Sequence, residues 1–131
     1  PGKGKSVKSG RSRPLTLTSP DGFPILVGRN SRQNDRVTFH RAKADDWWFH
    51  ARGVPGSHVI VRSEGESLPP DTIRRAAELA AYFSSSRDEA NVLVDYTRRR
   101  HVRRIRGAAP GLVTYAREQG IRVRPRGPDE Q

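Results

Sequence analysis

Cysteine and methionine are absent from the sequence, and aromatic residues make up only 7% of it. Without cysteine, the chain cannot form disulfides, cysteine-based zinc sites or a thiol nucleophile, so only His, Asp and Glu could bind a metal. Long apolar runs are also absent: none approaches the ~20 residues of a membrane-spanning helix, and no signal-peptide pattern opens the chain. We therefore expect a cytoplasmic protein.

Hydrophobic residues are scarce as well, at 33% of the 131 residues. Globular proteins typically reach about 45–50% when glycine is counted, and single domains commonly contain about 100–150 residues. The composition therefore predicts one domain with a modest core, and part of the chain should lie outside that core. For the start at Pro1 and the lack of methionine, we expect either a trimmed initiator or, in preference, a segment of a longer protein.

Positive charge is present in excess. Twenty-five Lys and Arg against fourteen Asp and Glu give a net charge of +11. The basic residues are clustered rather than scattered, which favours a polyanionic partner such as RNA. The alternative is that the charge serves solubility alone.

Composition divides the chain into three parts. Residues 1–13 contain five basic residues among Gly and Ser, with no acid, so we predict a disordered basic arm or linker there. Residues 14–126 form the predicted folded domain, and residues 127–131 form a predicted disordered tail.

Short strands separated by turns dominate the folded part. The turn Ser19-Pro20-Asp21-Gly22 predicts one β-hairpin, and two β-type runs on either side of the Gly- and Pro-containing residues 52–57 predict a second. Alternating apolar residues predict further strands within residues 92–97, 112–116 and 121–124.

Two helices are predicted among these strands. Asn30 can cap a short helix that ends near Asp35 or Val37, and Pro69-Pro70-Asp71 opens a longer helix that ends within residues 84–86. One face of the longer helix is apolar and the other carries Arg74, Arg75 and Glu78. The predicted fold class is α+β, with short antiparallel strands and hairpins packed around one long helix.

The most charged stretch is residues 98–106. Its six arginines are Arg98, Arg99, Arg100, Arg103, Arg104 and Arg106. Guanidinium groups bind phosphate oxygens bidentately, and each neutralised phosphate releases counterions, so this stretch predicts affinity for RNA without a choice of sequence. A solvated surface without a partner is the alternative.

An aromatic group is the second feature of interest. On a strand, Trp47 and Phe49 share one face while Trp48 and His50 share the other. One face should belong to the core, and the other could stack on a base or ribose. The alternative is that both indoles are core residues.

Two histidines and an aspartate raise the possibility of an enzyme. His50, His58 and Asp46 could ligate a metal or relay protons in a metal-dependent RNA-processing reaction. Their spacing matches no known metal motif, and the sequence contains no P-loop or Ser/His/Asp order. We therefore expect no catalytic residue, metal or cofactor, and keep the enzyme and a protein-interaction module as alternatives.

Several short motifs, in order, resemble one known family, the NFACT-R domain. The motifs are Val27 to Asp35, Asp46 to Ala51, Pro55 to Val59, Val94 to Thr97, His101-Val102, Gly107-Ala108 and Pro110 to Tyr115. The resemblance covers about residues 15–125, and ordered co-occurrence makes it far more specific than any single motif. Trp47 stands where the family has an aliphatic residue, which leaves open which indole is exposed.

The resemblance implies a role. The larger members are the RqcH proteins, also labelled fibronectin-binding protein A, and relatives such as nuclear export mediator factor. They bind large ribosomal subunits obstructed by peptidyl-tRNA, recruit tRNA and direct mRNA-free tailing of the stalled chain. By resemblance, this chain is their C-terminal RNA-binding module in ribosome-associated quality control, and it contacts tRNA and/or ribosomal RNA. The segments that precede the domain in the long proteins are not in this sequence, so tailing is not expected of it alone.

The motif positions and the arginine stretch together give the residues predicted to bind RNA. They are Asn30, Asn34, Asp35, Asp46, Trp48, His50, Arg52, Ser57, His58, Arg98, Arg99, Arg100, Arg103, Arg104 and Arg106.

Overall fold

The computed structural model describes residues 13–130, so residues 1–12 of the predicted basic arm lie outside the described residues. Eight strands and two α-helices are present in this part of the chain. The strands are β1 (Leu15–Thr18), β2 (Pro24–Val27), β3 (Trp47–Ala51), β4 (Val59–Val61), β5 (Val92–Arg98), β6 (Val102–Arg104), β7 (Val113–Tyr115) and β8 (Gln119–Val123). The helices are α1 (Ser31–Arg36) and α2 (Pro70–Tyr82).

Six strands form one sheet in the order β1-β2-β4-β3-β5-β8, with every neighbouring pair antiparallel. Both predicted hairpins are confirmed, since Leu15 pairs with Val27 and Trp47 pairs with Val61. The first hairpin turns where Ser19 Oγ accepts a hydrogen bond from the Phe23 amide at 3.0 Å. The α+β fold class predicted from the sequence is confirmed.

Helix α2 covers one face of the sheet. Pro70 stands in its first turn, where a missing N–H costs nothing, and Asp71 lies near the positive end of the helix dipole. Its fully buried alanines allow close approach to a layer of aliphatic side chains and Phe49 on the strands. The helix has 13 residues and ends at Tyr82, before the predicted end within residues 84–86, so it is shorter than the long helix that was predicted. Glu78, predicted to face outward, is buried and pairs with Arg75 at 3.4 Å.

A second layer covers the opposite face of the sheet. It consists of α1, a π-helical turn (Val37–Arg41) and a two-stranded ribbon in which β6 pairs with β7. Val37 and Val102 from this layer pack on Trp48 and Ile60 from the sheet. The predicted alternation along β3 is confirmed. Both faces of that strand are packed, because the ribbon, which the sequence did not predict, covers the second face.

The last described residues contact helix α2, within the segment 127–131 that the sequence predicts as a tail. Gly127 is buried against the Tyr82 ring, and its carbonyl accepts a hydrogen bond from Arg75 Nη2 at 2.8 Å. Its amide donates to Glu130 Oε2 at 2.7 Å. Gly127 is thereby held against α2. Across residues 13–130, no helix is long and apolar enough to cross a membrane.

Candidate nucleic-acid interface

A groove of about 640 Å³ lies on the face of the sheet that carries α1 and the ribbon. Its floor and sides come from α1, β3, the loop of residues 53–56 and β7 with its preceding loop. Four predicted RNA-contacting residues line it, namely Asn34, Trp48, His50 and His58. The structure therefore brings together residues from three separate sequence motifs.

Asn34 joins α1 to the loop before β4. Asn30 caps α1 as predicted, since its Oδ1 accepts a hydrogen bond from the Gln33 amide at 2.9 Å. This places Asn34 so that its Oδ1 accepts from the His58 amide at 3.0 Å and its Nδ2 donates to the Gly56 carbonyl at 3.3 Å. Gly28 lies so close that an added Cβ would stand 2.4 Å from Asn34 Oδ1. Glycine at that position is what allows the contact.

Aromatic and imidazole rings form the floor of the groove. Trp48 stacks on His50 with ring centroids 5.7 Å apart, meets His58 edge-on at 5.4 Å and contacts Tyr115 at 4.6 Å. Trp48 is fully buried, and its Nε1 has no hydrogen-bond partner among the described residues. Trp47 is only partly buried, so it is the more exposed of the two indoles.

Both histidines of the groove are held neutral. Burial, followed by the effect of the nearby His50 ring, lowers the pKa of His58 to about 3. Burial also lowers the pKa of His50, against the opposing effect of the Ala51 and Gly56 carbonyls. His50 Nδ1 lies 2.6 Å from the Ala51 carbonyl, which can only accept, so Nδ1 carries the proton. His58 Nδ1 lies 2.8 Å from the Thr38 hydroxyl.

A buried carboxylate supports the wall beside β7. Asp95 accepts hydrogen bonds from Tyr115 Oη at 2.5 Å and from Arg52 Nε at 2.8 Å. Burial, followed by the hydrogen bond to Asp95, raises the pKa of Tyr115, and the same carboxylate raises the pKa of Arg52. Tyr115 is thereby fixed as a neutral ring facing the groove, and Arg52 remains partly exposed at the end of β3.

Four of the six arginines in the charged stretch have partners within the domain. Arg104 forks onto Asp35 at 2.9 and 3.0 Å, and this hydrogen bond lowers the pKa of the Asp35 carboxyl. Arg99 donates to the Thr38 carbonyl at 2.7 Å, and both guanidiniums lie over the Phe39 ring. Their first role is therefore to attach the ribbon to α1 and the π-helical turn.

The other two arginines with partners lie beside the start of β3. Arg98 sits 4.1 Å above the Trp47 ring and donates to the Asp45 carbonyl at 2.6 Å. Arg100 pairs with the Asp45 carboxylate. Both remain reachable from solvent, because Arg100 is exposed and Arg98 is partly exposed.

Arg103 and Arg106 differ from these four. Both are exposed, and neither guanidinium has a hydrogen bond or ion pair to any residue within 13–130. Arg103 pairs with Thr114 across the ribbon, so it projects from the face opposite to Tyr115. Arg106 belongs to the loop whose residues 109–112 line the groove.

The predicted RNA-contacting residues thus divide by accessibility. Asp46, Trp48 and His58 are at most 2% exposed, and Ser57 and Asn34 are buried as well. Asp46 accepts hydrogen bonds from three backbone amides, those of Lys43, Ser63 and Glu64. These buried residues shape the surface, and the arginines, Asn30, Asp35 and His50 retain accessible atoms.

The three residues of the enzyme alternative are not gathered into one site. Asp46 precedes β3, whereas His50 lies near its other end, and four residues of strand separate them by about 13 Å. Within residues 13–130, no group of three or more His, Asp or Glu side chains could hold a metal ion.

Sequence reasoning missed Thr38, Phe39, Asp95 and Tyr115 as parts of the site. Asp95 carried a signal, because an acid in the middle of a buried strand needs a partner. Tyr115 lay within a motif of the resemblance but was not assigned a role. Thr38 and Phe39 carried no signal, since their importance depends on where Arg99, Arg104 and His58 lie in the fold.

Comparisons with known proteins identify the family. Residues 14–115 match the family described as NFACT protein RNA binding domain. The chain is 48% identical over 111 residues to the Rqc2 homolog RqcH of Bacillus subtilis, covering 84% of this chain and 19% of that protein. It is 28% identical over 79 residues to the ribosome quality control complex subunit NEMF homolog of Drosophila melanogaster, covering 60% of this chain and 8% of that protein.

A solved structure shows the same fold. The C-terminal part of the fibronectin/fibrinogen-binding protein from Streptococcus suis superposes with a TM-score of 0.83 at 40% identity, covering 88% of this chain and 46% of that one. The chain spans only about a fifth of the length of its RqcH relatives. The match over residues 14–115, which include every predicted site residue, shows that the chain belongs to the NFACT protein RNA binding domain family.

Proposed function

We propose that this chain is the RNA-binding domain of a cytoplasmic ribosome quality-control factor, and that it contacts tRNA and/or ribosomal RNA on obstructed large ribosomal subunits. The names of its relatives support this setting. In this role the domain binds and positions RNA and catalyses no reaction of its own.

The observation that carries the proposal is a pair of exposed arginines, Arg103 and Arg106, whose guanidinium groups have no partner among the described residues. A guanidinium already paired inside the protein must exchange a partner to bind phosphate, whereas a free one adds its full electrostatic contribution. We assign phosphate contact first to these two residues. Arg98, Arg99, Arg100 and Arg104 contribute to the positive field while they hold the ribbon in place.

The sharpest test removes one charge at a time and follows the salt dependence of RNA binding. Arg103→Gln should reduce the slope of log Kd against log salt by about 0.7–0.9, the value for one lost phosphate contact. Arg74→Gln is the matched control, because Arg74 is equally exposed but lies on α2, on the opposite side of the sheet. Equal slopes for both variants would mean that net charge alone governs binding.

The RNA partner is tested by comparing tRNA, ribosomal RNA fragments and DNA of equal length across a salt series. Retention of one RNA at physiological salt, with release of the DNA, supports the ribosomal role. Release of all polyanions at the same salt concentration would contradict it, because phosphate contact without shape recognition treats them alike.

A further inference from the structure

The groove differs in charge from the surface around it. No Arg or Lys is among its lining residues in the described part of the chain, although the whole chain has a net charge of +11. Its two histidines are held neutral by burial. The groove therefore offers no cation to a phosphate and calls for an uncharged ligand in a basic setting.

We propose that the groove binds one unpaired nucleobase of the RNA, while arginines around it bind the flanking phosphates. This inference rests on the RNA-binding function proposed above and adds the part of the RNA that this site takes. Recognition of unpaired RNA depends on such pockets, since bases in a helix are already stacked and paired.

The rings and dimensions of the groove suit a base. His50 and Tyr115 present partly exposed rings, with Trp48 beneath them. A planar base gains stacking energy on such rings whatever its identity. The volume of about 640 Å³ falls within the range of about 300–1,000 Å³ found for small-ligand pockets, and it accommodates a base with its ribose.

The floor of the groove also carries a hydrogen-bond donor. Trp48 Nε1 is buried and has no partner among residues 13–130, and buried donors are normally paired. Every base has ring nitrogens or carbonyl oxygens on its edge that accept hydrogen bonds. Because Nε1 is fully buried, a base would reach it only where the rings above it move apart.

Charged residues stand next to the groove in the chain. Arg32 follows Ser31, Arg52 precedes Gly53, and Arg106 precedes the loop of residues 109–112, and all three arginines are exposed. A neutral, ring-lined groove with exposed arginines next to its lining residues in the sequence suits a nucleotide within a strand. An apolar protein segment would need no nearby positive charge, so we favour RNA over a peptide.

The test compares single-stranded RNA oligomers with an abasic oligomer of the same length and charge, each binding the 131-residue chain. We expect the best base-bearing oligomer to bind about 5- to 150-fold more tightly than the abasic one, which corresponds to about 1–3 kcal/mol for one stacked base. It should also move the Trp48 indole N–H signal in a nitrogen–proton NMR spectrum, and the abasic oligomer should not. The chain has two tryptophans, so Trp47→Phe assigns the signals.

A pair of loop variants separates the groove from other stacking surfaces. Ala109→Phe places a ring in the groove and should remove the preference for bases while leaving the affinity for the abasic oligomer unchanged. Ala108→Phe is the matched control, because Ala108 is equally exposed in the same loop but does not line the groove. It should retain the preference.

Each result decides the matter. Equal binding of base-bearing and abasic oligomers overturns the inference while RNA binding itself stands, and leaves the groove to a protein segment. A preference that survives in Ala109→Phe also overturns it. If no oligomer, tRNA or ribosomal RNA binds, the proposed function fails together with the inference.

Discussion

The two faces of the sheet are built from different kinds of residue. The face under α2 is packed by aliphatic side chains, alanines and two stacked aromatic rings, Phe49 and Tyr96. The face under α1 and the ribbon packs Trp48 with two neutral histidines and leaves a groove open. The difference indicates that apolar packing on the first face supplies most of the free energy of folding. The second face holds buried polar groups in fixed positions, which lowers its contribution to stability.

Leu79→Ala should show most clearly that stability depends on one face of the sheet and RNA binding on the other. Leu79 is fully buried on α2, so the change should lower the free energy of unfolding by about 2–5 kcal/mol. Affinity for RNA should stay the same wherever the variant is folded, because the groove is on the other side of the sheet. Denaturant unfolding and RNA titration at low temperature measure both quantities. Weaker binding by the folded variant would show that the two faces are coupled.

A smaller loss of stability, joined to a loss of binding, is expected from Gly28→Ala. The new Cβ would stand 2.4 Å from Asn34 Oδ1 and 2.7 Å from the Asn34 amide nitrogen, so Asn34 must move away from His58. We expect a cost of about 1–3 kcal/mol and weaker RNA binding.

Gly65→Ala serves as the control for Gly28→Ala. Its Cβ meets nothing within 4 Å, but its φ of +89° lies in the left-handed region, so it should cost about 1–2 kcal/mol through backbone strain. RNA binding should not change. A Gly28→Ala protein with full affinity would show that the position of Asn34 does not shape the RNA site.

The third effect, which is spread over several pH units, is a dependence of stability on pH that belongs to the groove face. His58 has a pKa of about 3 in the folded protein and about 6.5 when unfolded, so the unfolded state binds a proton that the folded state excludes. Stability should therefore fall as pH drops from about 6.5 toward 3, by up to about 1.4 kcal/mol per pH unit from this residue. His50, whose pKa is also lowered, acts in the same direction.

His58→Gln should flatten this acid dependence, as measured by denaturant unfolding at several pH values. The α2 face, whose packed residues include no histidine among those described, should contribute nothing to it. An unchanged slope in His58→Gln would mean that the ring takes up a proton without unfolding.

Much of the fold was predictable because it depends on local signals. Asn30 announced its helix by its capping side chain, and alternation along β3 assigned Trp48 and Phe49 to opposite faces. Strand β6 could not be predicted from the sequence. Two of its three residues are exposed arginines and only Val102 is buried, so it lacks the apolar alternation that predicts a strand, although it pairs with β7. The ribbon packs on the second face of the sheet although its sequence is strongly charged.

The site was predictable in part. The motifs identified residues that do meet around one groove, but polarity alone could not separate contact residues from supporting ones. From the sequence, Asp46 and His58 were predicted to contact RNA, but in the structure both are buried and form hydrogen bonds within the protein. Among the arginines, only the fold reveals that Arg104 binds Asp35, whereas the Arg103 side chain has no partner within residues 13–130.

Strand β8 has a consequence for where this domain can be cut. The family match ends at residue 115, yet β8 pairs with β5 over five residues, from Val92 with Val123 to Tyr96 with Gln119. A chain shortened to the matched region would leave β5 as an open edge with unpaired amides and carbonyls, which invites pairing with other copies. A chain that ends at residue 115 should therefore aggregate more readily than one that retains β8.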